Sequence, residues 1–272
     1  MRGKTFAKAK TELLLTTCCL PLATLAQMQT VIPLAFEPHH HLALHNEYVN
    51  VYEVEVAPHD SVQLHRHEFD AISIMMSNSE VVVRAPGKPD VRQKLSEGQI
   101  RLQPSGYVHS TSIEGDTPYR NVTVELLFRQ QGGRNICAKV IATQGLDCPS
   151  EPASPPSSTH MEQSQYETDQ TSVSLIRVLP HQKVTSGNTG RSELMVSLDD
   201  LSVATVGETA PGNPFGRGDF KWTAIGQAAT VFKNHSDKEA RLILFRLKPQ
   251  GSPGNNDSTE KVTAPTRPLA TR

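Results

Sequence analysis

Apolar and polar residues alternate along much of the chain in short segments, a spacing typical of β-strands. A first series contains VNVYEVEV, AISIMM, EVVVRA, QIRLQ, VHSTSI and RNVTVELLF, and a second contains SVSLIRV, SELMVS, LSVATVG, DFKWTAI, ATVFKN and ARLILFRL. Turn-forming sequences such as APGKPD and EGDTP separate the segments. The pattern therefore predicts an all-β protein built as a sandwich or barrel.

The second series repeats the first in its pattern of strands and turns. VYEVEVAPHDSV aligns with VSLIRVLPHQKV, and GQIRLQPSGYVHSTSI aligns with GDFKWTAIGQAATVFK. The paired positions are Pro58-His59 with Pro180-His181, Gly98 with Gly218, and Gly106 with Gly226. Repetition of this kind predicts two copies of one β unit.

The composition between and after the two series predicts the domain boundaries. CPSEPASPPSSTH is a proline- and serine-rich linker, and the sequence after Lys248 has almost nothing to bury. The predicted segments are a signal peptide at 1–26, a first domain at 35–135, a disulfide loop and linker at 136–165, a second domain at 166–248 and a disordered tail at 249–272.

Length and charge limit the function. A chain of 272 residues is long enough for one large or two ordinary domains. Its formal net charge is -1 and its pI is about 6.8. The chain therefore lacks the basic surface that nucleic-acid binding requires.

The N-terminus has the order of a secretory signal. MRGKTFAKAK is basic, LLLTTCCLPLATLA is apolar, and small residues precede QMQT. We expect cleavage after Ala26 and a periplasmic or extracellular protein with no stable membrane insertion. An uncleaved N-terminal anchor and a lipoprotein linked through Cys18 or Cys19 are the alternatives.

Two cysteines remain in the expected mature chain. Cys137 and Cys148 are close in sequence, and an even pair in an exported protein predicts one disulfide. Closing so short a loop contributes about 2–3 kcal/mol in the chain-entropy model. Two free buried thiols are the alternative.

Histidine spacing carries the most specific signal. HRH supplies His65 and His67, and GQIRLQPSGYVH has the form G-x5-P-x-G-x2-H, ending at His109. The two stretches resemble the two motifs of the cupin superfamily. The resemblance covers about 49–128 directly and 172–248 through the repeat. It implies a two-domain cupin (bicupin), with two jelly-roll β-barrels in tandem and a degenerate second domain.

Elementary geometry supports a metal site at these residues. His65 and His67 are two positions apart on a strand, so they point to the same face. His109 follows the PSG turn and can supply a third nitrogen. Three imidazoles would hold a divalent transition metal (Fe, Mn, Ni, Cu or Zn) and leave positions open. Isolated HxH pairs are equally typical of an exposed polar face, and a cupin that keeps the motif without using a metal is a further alternative.

The chain departs from the cupin pattern in two places. His59 stands where the first motif usually opens with glycine, and Ala71 and Ile72 stand where a glutamate ligand is usual. Asp70 is the nearest candidate for a carboxylate ligand, but strand alternation places it on the opposite face unless the strand bulges or ends there. We therefore predict a three-histidine site, with Asp70 as an uncertain fourth ligand.

In the second copy, Gly187, Thr189 and Ala229 occupy the three histidine positions. This predicts a domain that is structural, or that forms part of an interface or a lid. The run His39–His41, with His45, could bind metal adventitiously, but it lies in a proline-flanked lead-in, and we interpret it as a solvated patch. No catalytic residue is assigned, although Glu125 or Tyr107 could supply an acid or base.

The resemblance implies an exported, metal-binding cupin that binds a small organic molecule or acts on it. An enzyme would be of the oxygenase or isomerase type. The alternatives are a non-catalytic ligand-binding protein and a structural bicupin. A homodimer is an open alternative to a monomer.

Overall fold

The structure is a computed structural model, and it describes residues 30–127, 157–167, 170–187, 189–208 and 212–248. The predicted signal peptide, the pair Cys137 and Cys148, and the predicted tail 249–272 lie outside these residues. Within the described ranges, no helix is long and apolar enough to cross a membrane.

Each half of the chain forms two β-sheets. The first half contains a 3-10 helix at Leu34–Phe36 and the strands β1 (Ile32–Pro33), β2 (His40–His45), β3 (Val49–Val56), β4 (Ser61–Arg66), β5 (Asp70–Met75), β6 (Ser79–Arg84), β7 (Val91–Leu95), β8 (Ile100–Gln103), β9 (Val108–Ile113) and β10 (Tyr119–Leu126). The second half contains β11 (His160–Glu167), β12 (Thr171–Val178), β13 (Lys183–Ser186), β14 (Glu193–Ser197), β15 (Leu201–Thr205), β16 (Asn213–Phe215), β17 (Phe220–Thr223), β18 (Thr230–Lys233) and β19 (Ala240–Leu247).

The sheets of the two halves share one topology. The first half has the orders β1-β4-β9-β6-β7 and β2-β3-β10-β5-β8, and the second has β11-β12-β19-β14-β17 and β13-β18-β15-β16. The order β3-β10-β5-β8 recurs as β12-β19-β14-β17, and β4-β9-β6 recurs as β13-β18-β15. The prediction of an all-β fold with two jelly-roll units in tandem is therefore confirmed.

The repeated turns also agree in backbone geometry. His59 and His181 adopt φ of 63° and 57°, a left-handed conformation that non-glycine residues rarely take. Each ring contacts an aspartate, with Nε2 of His59 at 3.1 Å from Asp116 and Nε2 of His181 at 2.8 Å from Asp237. The paired glycines Gly98, Gly218, Gly106 and Gly226 adopt φ of 77°, 88°, 81° and 81°.

Strands of the central sheets are buried on both faces, which their alternation alone does not predict. In β5, Ser73 faces the interior of the first half, whereas Ile72 joins a hydrophobic cluster on the outer face. This cluster also contains Val124 of β10 with Leu194 and Phe245 of the second half. The two halves therefore share one apolar interface in addition to their separate cores.

Charged residues reinforce this interface. Arg241 donates from its guanidinium to Glu97 at 2.8 Å and to Asp199 at 2.8 Å, and Arg217 also pairs with Glu97. Gly98 lies so close that a Cβ added there would be 3.3 Å from the Arg241 guanidinium. The glycine shared by the two repeats is thus needed both for its positive φ and for the close packing of the halves.

Six strands that are absent from the two predicted series lie at sheet edges, namely β1, β2, β7, β11, β13 and β16. β2, β7 and β11 have the sequences HHLALH, VRQKL and HMEQSQYE, and each pairs with one neighbour. Edge strands bury less than central ones, so they lack the clear alternation that marks the others. β11 begins at His160, inside the segment assigned to the linker.

Candidate metal centre

His65 and His67 lie at the end of β4 and in the turn that follows it. Both are buried, whereas Arg66 between them is exposed, as strand alternation requires. The two imidazole rings are 5.1 Å apart between centroids. The backbone N–H of His67 donates to the carbonyl of Tyr107 at 2.9 Å, which fixes the turn against the segment leading into β9.

His109 reaches the same point from β9. It pairs in register with His65, and their ring centroids are 4.5 Å apart. The Nε2 atoms of His67 and His109 are 3.0 Å apart. The three histidines offer ligand nitrogens that all lie within 4.8 Å of one another. The structure therefore brings together the three histidines selected from the sequence.

The free nitrogens of this group fit a metal ion. Nδ1 of His65 donates to the carbonyl of Gln63 at 2.8 Å, which leaves Nε2 as a buried acceptor without a partner. Nδ1 of His67 is likewise buried without a hydrogen bond, and Nδ1 of His109 is 3.4 Å from the hydroxyl of Thr111. Buried nitrogens without partners are costly in a protein interior unless a ligand occupies the site. An imidazole set of this kind suits a transition metal.

Electrostatics keep the three imidazoles neutral. Burial and, to a smaller extent, the nearby imidazole of His40 together lower the pKa of His65 to about 4. Burial and neighbouring imidazoles also hold the pKa values of His67 and His109 well below the ordinary value. Metals bind the neutral form of histidine, so the site needs no proton loss near neutral pH.

The cavity beside the histidines is small and polar. Its volume is about 10 Å³, room for roughly one water-sized body. The opposite wall is a hydrogen-bonded series in which Ser73 contacts Gln103 at 3.2 Å and Thr123 at 2.8 Å. Thr123 then donates to Asn121 at 2.7 Å. The structure thus encloses a small polar site with room for about one ion or one water molecule.

Arg101 adds a positive charge that the motif did not indicate. It lies opposite Ser73 in the β5–β8 register, on the face that carries Gln103. Its guanidinium is buried and donates to Gln93 at 2.5 Å, and among the described residues it makes no ion pair. Its charge is close enough to help lower the pKa of His109. A buried cation without an anion is costly, so this interior is suited to an anionic ligand.

The two acid–base candidates have different surroundings. Tyr107 stacks on His109 with ring centroids 4.7 Å apart, and its buried hydroxyl has no hydrogen-bond partner. Glu125 accepts hydrogen bonds from Asn50 at 2.9 Å and from Tyr52 at 3.2 Å. Burial raises the pKa of Glu125. Tyr107 is therefore the acid–base candidate that directly contacts the three-histidine group.

Asp70 is buried but is not part of the three-ligand group. It begins β5, and its carboxylate accepts a hydrogen bond from the backbone N–H of Ser105 at 2.7 Å. This contact ties β5 to the PSG turn that precedes His109. The assignment of Asp70 as a fourth ligand stays a prediction.

His40 is the residue that sequence reasoning missed. The interpretation of His39–His41 as a solvated patch is wrong for His40, whose side chain is only 7% exposed and lines the metal cavity. Its Nδ1 is 2.6 Å from Oε2 of Glu37. The alternation of HHLALH gave no clear signal, because Leu42, two positions after His40 on the same nominal face, is exposed.

Glu37 should make stability depend on pH. Burial alone would raise the pKa of this carboxyl, but hydrogen bonds from His40, His39 and Gln63 outweigh burial and lower it to about 2 from 4.5. A depressed pKa stabilises the fold above the unfolded value and loses this contribution as pH falls towards the folded value. Relative to Glu37→Gln, metal-free wild type should lose about 2 kcal/mol of unfolding free energy between pH 6 and pH 3.

Urea unfolding of both proteins across this pH range measures the difference. Glu47→Gln, at an exposed carboxylate, is the control. A wild-type advantage over Glu37→Gln that stays constant from pH 6 to pH 3 would contradict the prediction.

Among the described residues, the second half has no equivalent histidine group. Gly187 has φ of 101°, and a Cβ added there would lie 2.8 Å from Thr223 and 3.2 Å from Ala229. In strand register, Glu193 lies opposite Thr223 on one neighbouring strand and Arg246 on the other. In the first half, Ala71 lies opposite Gln103 and Glu125 in the same way, so Glu193 occupies the position equivalent to Ala71. Its carboxylate is occupied by Ser186, Gly187 and Thr189. This half packs without room for a histidine at position 187.

No protein-family model and no curated protein sequence matches the chain. Among solved structures, AerE from Microcystis aeruginosa has a TM-score of 0.52 and 13% identity, covering 79% of this chain and 99% of AerE. Oxalate decarboxylase from Lactobacillus farciminis, solved as a formate complex, has a TM-score of 0.50 and 12% identity, covering 76% of this chain and 79% of that chain. The similarity is one of fold. The chain has the fold of a two-domain cupin. Its first half carries a group of three histidines suited to a metal.

Proposed function

We propose that the protein is an exported cupin whose first half holds one divalent transition metal and uses it to bind or transform a small organic anion. The observation that carries the proposal is the convergence of His65, His67 and His109 on one buried point. Export rests on the signal-like N-terminus.

The charge of the site supports an anionic ligand. Three neutral imidazoles leave the charge of a divalent ion uncompensated, and Arg101 adds a buried positive charge nearby. The bound metal would supply a Lewis acid and open positions for a ligand. Arg101 would bind and orient the anion, while Tyr107, stacked on His109, has a free hydroxyl to donate to it.

The cavity supports a small ligand. Its volume of about 10 Å³ excludes bulky molecules unless the walls move. The similar fold of an oxalate decarboxylase that was solved with formate makes small carboxylates the first compounds to test.

Elemental analysis of tag-free wild type tests the proposal. We expect about one equivalent of iron, manganese, nickel, copper or zinc, because one three-histidine group occurs among the described residues. A wild type that binds no metal after reconstitution would overturn the proposal.

Calorimetric titration of the metal-loaded protein with formate and with oxalate tests whether the ligand is a small carboxylate. Arg101→Gln should weaken carboxylate binding about tenfold, since it removes the buried cation. Arg92→Gln, at an exposed arginine paired with Glu114, is the matched control and should bind as wild type does. Equal affinities for the two variants would contradict the role of Arg101.

A binding protein without catalysis is the second candidate. Product analysis separates the two: turnover of a bound carboxylate by the loaded wild type, aerobically or anaerobically, favours the enzyme. Binding without turnover across a panel of small carboxylates favours the binding protein.

A further inference from the structure

The cavity that holds the three histidines has a fourth imidazole on its wall. His40 comes from the edge strand β2, far from both histidine motifs in sequence, yet its side chain is only 7% exposed. Its ring lies 5.0 Å from the ring of His65 between centroids. A buried histidine in this position is a feature of the metal centre rather than of the surface.

Glu37 holds this imidazole in one orientation. The carboxylate has no exposed surface, and its Oε2 is 2.6 Å from Nδ1 of His40. Glu37 also accepts hydrogen bonds from the backbone N–H of His39 at 2.9 Å and of Gln63 at 3.1 Å. Because the Nδ1 proton is directed to the carboxylate, Nε2 carries the lone pair, and it has no hydrogen bond among the described residues. Carboxylate–histidine pairs of this type orient histidines that bind metals.

Among the described residues, the group of converging ligand atoms contains three histidines and no carboxylate. Ala71 cannot bind a metal, and the carboxylate of Asp70 accepts a hydrogen bond from Ser105. His40 lines the same cavity as these three histidines and offers a fourth imidazole.

We propose that His40, oriented by Glu37, is a fourth nitrogen ligand of the metal centre. His40 lies outside the group whose nitrogens are within 4.8 Å of one another, so the proposal requires its ring to move towards the ion on binding. The proposal rests on the proposed function, because it requires that the first half binds a metal at all.

X-ray absorption spectroscopy of zinc-loaded wild type tests the proposal without any substitution. Multiple scattering from imidazole rings should fit four histidine ligands. A fit to three would overturn the proposal while leaving the three-histidine site intact.

Substitutions give a second, independent measurement. His40→Gln should weaken Zn²⁺ affinity by about 100-fold or more and remove one nitrogen from the Cu²⁺ electron paramagnetic resonance pattern, because it removes a ligand. Glu37→Gln should weaken Zn²⁺ affinity by about 10- to 100-fold while keeping the nitrogen count, because it removes only the group that orients the ligand. His41→Gln, at the exposed neighbour, should match wild type.

The outcomes separate the two proposals. Loss of affinity in His40→Gln but not in His41→Gln supports His40 as a ligand. Equal affinity and equal nitrogen counts in these two variants overturn it, with the metal site still established by wild type. A wild type that binds neither ion removes the proposed function itself.

Discussion

The double variant His65→Ala/His109→Ala should lose its metal entirely, whereas tag-free wild type should hold about one equivalent. Two of the three nitrogens that lie within 4.8 Å of one another are removed, and the imidazole of His67, even with His40 as a further ligand, offers too few nitrogens to hold an ion through dialysis. Elemental analysis after dialysis against a weak chelator measures the difference.

A matched double variant distinguishes loss of the metal site from loss of nonspecific metal binding by other histidines. His59→Ala/His181→Ala removes two exposed turn histidines, one from each half, and should keep the wild-type metal content. Equal metal in the two double variants would show that binding is adventitious.

Thermal unfolding gives a second measurement of metal binding by wild type and by the His65→Ala/His109→Ala variant. A ligand that binds only the folded state stabilises it by about 2.7 kcal/mol at a free concentration 100 times its Kd. Added metal should therefore raise the midpoint of wild type and leave that of His65→Ala/His109→Ala unchanged. A shift of equal size in both would place the binding elsewhere.

Phe245→Ala should be the most destabilising single change in the interface between the halves. Phe245 is fully buried in the cluster that joins the two central sheets, opposite Val173 and Leu194. Removing a buried phenylalanine side chain costs about 3–5 kcal/mol, because transfer energy is lost and a cavity remains. Urea unfolding measures the loss.

Phe36→Ala is the control for this prediction. Phe36 is 56% exposed, so its removal should change the unfolding free energy by less than about 0.5 kcal/mol. A loss below about 1 kcal/mol for Phe245→Ala would show that the interface repacks around the missing ring.

The shared interface also predicts that the two halves unfold together. Trp222, the single tryptophan, packs against the interface cluster from the second half. Metal added to the first half should raise the unfolding midpoint that Trp222 fluorescence reports. An unchanged fluorescence midpoint would mean that the second half unfolds on its own.

Much of the fold follows from local pattern. Alternation placed VNVYEVEV, VHSTSI and ARLILFRL on strands that the structure has at the same residues, β3, β9 and β19. The repeated Pro-His turns recur with one backbone conformation, because a tight turn with positive φ is set by a few neighbouring residues. The sequence pattern did not predict edge strands such as β2, because their burial depends on the sheet that they join.

The residues of the candidate site also fall into those that the sequence identifies and those that only the tertiary structure identifies. The sequence by itself determined the three histidines, because HxH and G-x5-P-x-G-x2-H together resemble the two cupin motifs, and these motifs are local in sequence. Only the tertiary structure decided that His40 and Glu37 belong with them, that Arg101 is buried nearby, and that Asp70 binds the turn at Ser105. These contacts join strands far apart in the chain, and which faces of two sheets meet is a property of packing rather than of local spacing.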